Sequence, residues 1–151
     1  MRSWLVVAGT LAVLALFVPS GAAGADEVFS FYDLQFGMTR GEVGRHYPLD
    51  GGLVKNPGHG MSEMEVIFDR EDLLMEIRAS YPQPDDPFEH AGLVRALREK
   101  FVGPTNTKFP AIAVTLDEFS NRAAVKVSFL ATSIREKNID FHKNRYLKAL
   151  Q

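Results

Sequence analysis

Cysteine is absent from the 151 residues. That excludes the disulfides on which small exported domains often depend, a thiolate nucleophile, cysteine zinc sites and a lipidated N-terminal cysteine. Strong charge is missing too: 17 Lys and Arg stand against 19 Asp and Glu, a net charge of −2. Nucleic-acid binding would want a basic excess, so no nucleic acid is expected as partner. There is no Gly-x-Ser-x-Gly elbow, and the glycine spacings fit neither the dinucleotide fingerprint nor the Gly-Lys-Ser/Thr phosphate loop. His46, His59, His90 and His142 show no metal-ligand spacing, so no metal and no other cofactor is expected. A hydrolase would have to gather its groups from separate segments: Ser62 or Ser80, a histidine, and carboxylates among Glu63, Glu65, Asp69, Glu71 and Asp72.

Long apolar runs are missing after the first 25 residues. Within them, Arg2 precedes an almost unbroken apolar run from Trp4 to Val18, Pro19 to Gly21 break it, and Ala23-Gly24-Ala25 supplies small residues before Asp26. This is the layout of a cleaved secretory signal, and the run falls short of the roughly 20 residues of a spanning helix. The expectation is a periplasmic or secreted protein cleaved near Ala25, with an uncleaved N-terminal anchor as the alternative. Residues 26–151 then make one domain.

What is present reads as α+β. Residues 31–37 alternate, with Tyr32, Leu34 and Phe36 opposite Phe31, Asp33 and Gln35, which is a strand pattern. A helix follows over 40–47 and Pro48 stops it. Residues 49–63, rich in glycine, form a long loop. Met64–Asp69 and Leu73–Tyr81 make a hairpin, the second strand placing Leu73, Met75, Ile77 and Ala79 on one face. Asp86-Pro87-Phe88-Glu89 starts a helix, with Asp at the N-cap and Pro at the first helical position. Its apolar stripe is Leu93, Val94, Leu97 and Phe101, and Gly103-Pro104 ends it. A second hairpin, Ala111–Phe119 and Arg122–Leu130, turns at Ser120-Asn121. Ile139, His142, Tyr146 and Leu150 mark a C-terminal helix over about 138–150.

The predicted fold is therefore an antiparallel sheet of about five strands in hairpins, packed by two or three helices. Helix then hairpin occurs at 31–81 and again at 87–131, and Val43 and Tyr47 match Leu97 and Phe101 in spacing. Two pseudo-repeats would share one sheet or one core, because neither can hide its apolar face alone.

The stretch Phe36-Gly37-Met38-Thr39-Arg40-Gly41-Glu42-Val43 invites two readings. With Thr39 as N-cap, Glu42 is the third helical residue and the pair forms a capping box, with Met38 and Val43 as its hydrophobic staple. The rival is an anion site at a helix N-terminus, which the Glu42 carboxylate opposes. The same residues resemble the opening signature of small exported bacterial domains. These are the outer-membrane assembly lipoproteins of the SmpA/OmlA group and the similarly built β-lactamase inhibitor proteins. The resemblance implies helices on an antiparallel sheet and action by binding other proteins. It carries no functional residues over, and the lipid-bearing cysteine of the assembly group is missing.

The leading functional expectation is a non-catalytic extracytoplasmic binding module whose partner is another envelope protein. It would be met through the open sheet face or the 49–63 loop, with Lys55, Asn56, His59 and Met61 as contact residues. Long loops are disordered or bind. The basic run Arg135, Lys137, Lys143, Arg145 and Lys148 adds the prospect of membrane-surface contact. The alternatives are the small hydrolase above and a carrier for a lipid or other apolar ligand.

Overall fold

The computed structural model describes residues 28–121 and 124–150; the signal expected over residues 1–25 lies outside them. The chain opens with β1 (Ser30–Phe31) and β2 (Leu34–Gln35), followed by α1 (Arg40–His46), β3 (Leu49–Asp50), β4 (Leu53–Val54), β5 (Glu63–Phe68) and β6 (Leu74–Pro82). Then come α2 (Pro87–Leu97), a π-helical turn (Arg98–Val102), α3 (Gly103–Lys108), β7 (Ile112–Asn121), β8 (Ala124–Ala131) and α4 (Thr132–Ala149). Six strands form one sheet in the order β3-β4-β5-β6-β8-β7, all antiparallel, and β1-β2 is a separate small ribbon. The α+β class is as the alternation and stripes indicated.

One face of the sheet carries the core. Met64 and Val66 from β5, Ile77, Ala79 and Tyr81 from β6, and Val125, Val127 and Phe129 from β8 are buried with Val43 of α1 and Val94 and Leu97 of α2. The predicted pairing of the second hairpin holds, with Val114 opposite Phe129 and Leu116 opposite Val127. Asp86 caps α2, its carboxylate accepting from the backbone N–H groups of Phe88 and Glu89 at 2.8 and 2.9 Å. The opposite face is polar: Arg78 donates to Glu76 at 2.7 Å and to Glu65 at 3.2 Å.

The capping box at the start of α1 is present in full. Glu42 N–H donates to the Thr39 hydroxyl at 3.3 Å, and Thr39 N–H donates to the Glu42 carboxylate at 2.7 Å. That backbone bond, followed by the Thr39 side chain, holds the Glu42 carboxyl below its ordinary pKa. The segment is also sewn to the β5–β6 turn: Gly37 N–H donates to Leu74 O, Leu74 N–H to Met38 O, and Arg40 N–H to Asp72 O. Gly37 sits at φ +86° with open space where a Cβ would stand. Gly37→Ala should therefore meet no clash and cost about 1–2 kcal/mol from left-handed strain alone, read from a urea unfolding curve.

Several expectations fail for definable reasons. The strand over 31–37 is a tight hairpin, because Tyr32 adopts a left-handed conformation (φ +53°) and reverses the chain. The reversal brings both Phe31 and Leu34 into the core, where a straight strand would have parted them. The 49–63 loop contains β3 and β4, a hairpin turned by Gly51-Gly52, a pair suited to the positive φ of two-residue turns. In β6 a bulge opposite Ile67 and Phe68 moves Leu74 to the core with Ile77, and leaves Leu73 and Met75 out of it. Gly103-Pro104 does not end the helix. Gly103 N–H reaches back five residues to Arg98 O, and Pro104 falls in the first turn of α3, where its missing N–H costs little. Ser120 and Asn121 belong to β7, since Asn121 pairs with Ala124. α4 starts at Thr132 and buries no residue: Ile139 and Tyr146 are 47% and 68% exposed, and the capping Leu150 is 83% exposed. The helix meets the β5–β6 turn through Asn138, which accepts from the Arg70 N–H at 3.5 Å, and Phe141, whose ring lies 3.7 Å from the Arg70 guanidinium.

Candidate functional site

The most unusual local geometry lies where the β1–β2 turn meets the loop after β4. Tyr32 and His59 both have left-handed backbones, at φ +53° and +54°. His enters this region more readily than most residues, whereas a bulky Tyr there is an outlier, and such strain gathers at functional sites. Their rings stack face to face, with centroids 3.7 Å apart and planes 10° from parallel. The Lys100 ammonium, from the π-helical turn, donates to the Tyr32 hydroxyl at 3.2 Å and lies 5.3 Å from its ring centre. His59 and Lys100 are exposed and Tyr32 is half-buried.

Beneath this stack are two more phenols. Tyr47 caps the C-terminal end of α1, and Tyr81 stands near the end of β6. Burial pushes the Tyr81 phenol above the usual tyrosine range, and the adjacent Tyr32 hydroxyl pushes it the same way. Burial also raises Tyr47, helped by the Asp33 carboxylate and opposed by the Asp33 backbone N–H. For both groups the folded-state pKa lies above the unfolded value of about 10. Their contribution to stability is thus fully present below about pH 10 and is lost as pH rises toward the folded values. Urea midpoints measured at pH 9 and pH 11 should fall with pH, and Tyr81→Phe should flatten that fall.

The loop that carries His59 is ordered. Met61 N–H donates to Gly58 O at 3.0 Å, and both the N–H and the hydroxyl of Ser62 donate to Ser80 O, at 2.8 and 3.1 Å. Pro57 and Met61 are buried under it. The four residues expected to make contacts therefore separate. His59 joins the aromatic site. Met61 is part of the core. Lys55 faces Asp50 in an exposed ion pair at 3.1 Å, and Asn56 holds a left-handed turn at φ +52°. Tyr32, Tyr47, Tyr81 and Lys100 were not visible as site residues, because they come from four distant segments and share no spacing.

The material for the alternatives is also placed. His46 and His142 are exposed, His142 edge-on to Phe141 with centroids 5.4 Å apart. His90 is half-buried at the rim of a groove that also holds Arg98 and Glu118, which are bonded to each other. Asp69 accepts from the backbone N–H groups of Glu71 and Leu73, so it is used in its own turn. No group of three or more His, Asp or Glu side chains is gathered as a metal site would need, among the described residues. No helix among them is long and apolar enough to cross a membrane. The arrangement around Tyr32 offers a flat aromatic surface with one cation at its edge, fitted to contact more than to proton transfer. Set beside family models, curated proteins and solved structures, the chain matches none of them.

Proposed function

We propose that the protein is a non-catalytic binding module that works outside the cytoplasm, and that the Tyr32–His59 surface is where it meets a protein partner. The observation that carries this reading is the stacked, left-handed pair with Lys100 at its edge. A tyrosine held at a surface by its neighbours is of the residue type enriched at binding hot spots. A rigid pair also loses little conformational freedom on association. The export layout of residues 1–25 and the resemblance of Phe36–Val43 to envelope assembly domains favour an envelope protein as that partner. The test is crosslinking and affinity purification from envelope extracts, run in parallel with the native chain and with a Tyr32→Ala/His59→Ala variant. A partner held by the native chain and lost by the folded variant supports the reading. A partner retained equally by both removes this surface from it.

A second reading has its own observation. α4 exposes Arg135, Lys137, Lys143, Arg145 and Lys148 together with Ile139 and Tyr146, and basic side chains of this kind are drawn to an anionic membrane surface. Co-sedimentation with vesicles of phosphatidylglycerol, but not with phosphatidylcholine vesicles, is the expected result. Loss of sedimentation on Tyr146→Glu would assign it to this helix.

A further inference from the structure

The two edges of the sheet are unlike. At one end β3 has two residues and follows Pro48, so it offers almost nothing to pair with. At the other end β7 runs ten residues, Ile112–Asn121. Asp117, Glu118 and a register shift between Asp117 and Asn121 blunt its far half, while Ile112–Leu116 holds no Pro, no charge and no shift and is the open part of the edge. Among the described residues no strand lies beyond it.

The free hydrogen-bonding groups can be assigned. Thr132 N–H donates to Ala111 O at 3.0 Å, which continues the ladder one step past the Ile112–Ala131 pair. Backbone groups alternate in direction along an antiparallel strand, so residues 111, 113, 115 and 117 point toward β8 and 112, 114 and 116 point away. Phe109 O takes the outward N–H of Ile112 at 2.9 Å. Among the described residues no backbone acceptor takes those of Val114 and Leu116.

Beside this edge lies a groove of about 370 Å³, walled by His90, Ala91, Val94, Arg95 and Arg98 and by Glu118 of β7. Its lining is mainly apolar, and the Arg98–Glu118 ion pair closes one end. Arg95 is exposed and enters no ion pair among the described residues. A cation without a counter-ion at the rim of an apolar groove is complementary to a carboxylate next to an apolar side chain.

We propose that β7 accepts an extended segment of a partner protein as an added antiparallel strand. Val114 and Leu116 supply the main-chain bonds, the groove beside α2 receives an apolar side chain, and Arg95 meets an acidic one. This is strand addition, in which backbone bonds give affinity and alternate side chains give selectivity. The inference rests on the protein-binding reading and names a second surface and a class of ligand for it.

The probe is a library of random linear peptides displayed on phage and selected on the full chain. Selected peptides should alternate apolar residues and carry one Asp or Glu. Val114→Pro removes an outward N–H and leaves the β8 ladder intact, and it should weaken them by about tenfold or more. Arg95→Glu should weaken them similarly, and exchanging the peptide acid for Lys should restore binding to that variant. Circular dichroism checks that Val114→Pro is folded. If it is not, amide exchange in the native chain decides: peptide must protect Val114 and Leu116, and unprotected amides overturn the proposal. Peptides insensitive to Val114→Pro but lost with Tyr32→Ala overturn it too, while the protein-binding reading stands. A dimer in sedimentation that Val114→Pro dissolves gives the edge to a second copy of the chain and also overturns it. A selection that yields no peptide rejects strand addition, and only the envelope crosslinking result then decides the broader reading.

Discussion

Phe129→Ala lowers the free energy of unfolding by about 3–5 kcal/mol, the range for truncating an aromatic ring in a packed core. Phe129 is fully buried on β8, between β6 and β7. Its ring centre lies 5.4 Å from that of Phe29, 4.8 Å from Phe31 and 5.6 Å from Phe101. The ring thus ties the first ribbon, the π-helical turn and the centre of the sheet together. Against a whole-domain stability of about 5–15 kcal/mol, such a loss leaves a protein near its unfolding threshold at physiological temperature. Urea unfolding followed by circular dichroism measures it, with Phe129→Leu expected to lose less. A loss below about 1 kcal/mol would contradict the aromatic cluster as the centre of the core.

The second large effect is on binding. Tyr32→Ala should weaken partner affinity by about 30-fold or more, the scale of a hot-spot truncation near 2 kcal/mol. Stability should respond differently. The ring is half-buried and loses its contact with Phe31, but its left-handed backbone stores about 1–2 kcal/mol of strain that Tyr32→Gly releases. Tyr32→Gly therefore separates the roles, with affinity lost and the unfolding midpoint moved little. A double-mutant cycle with His59→Ala should show coupling of about 0.5–1.5 kcal/mol from the stacked rings. If Tyr32→Gly and His59→Ala each left affinity unchanged, the stack would be only a clamp on the loop.

Much of the fold was legible because local chemistry decides it. Thr39 and Glu42 announced α1, Asp86 and Pro87 announced α2, and the alternation of Val125, Val127 and Phe129 announced a strand buried on one face. What was illegible depended on geometry that period counting does not carry. Tyr32 breaks an alternating pattern by entering a region that glycine and asparagine prefer, and nothing in the residue type says so. Pro104 reads as a stop signal, yet a five-residue hydrogen bond shifts the register before it and lets the helix resume. The Met75 bulge changes which of two adjacent leucines goes inward. The site was harder still. His59 could be named from its loop, but its meaning comes from Tyr32 and Lys100, which only the tertiary fold brings to it.

The inequality of the two sheet edges sets a limit on self-assembly. Edge-to-edge growth into fibres needs two competent ends, so that each added copy presents a fresh template. Here β3 offers a two-residue stub behind Pro48. Association through β7 consumes the one long edge of this sheet among the described residues, so growth by that route stops at a single pairing.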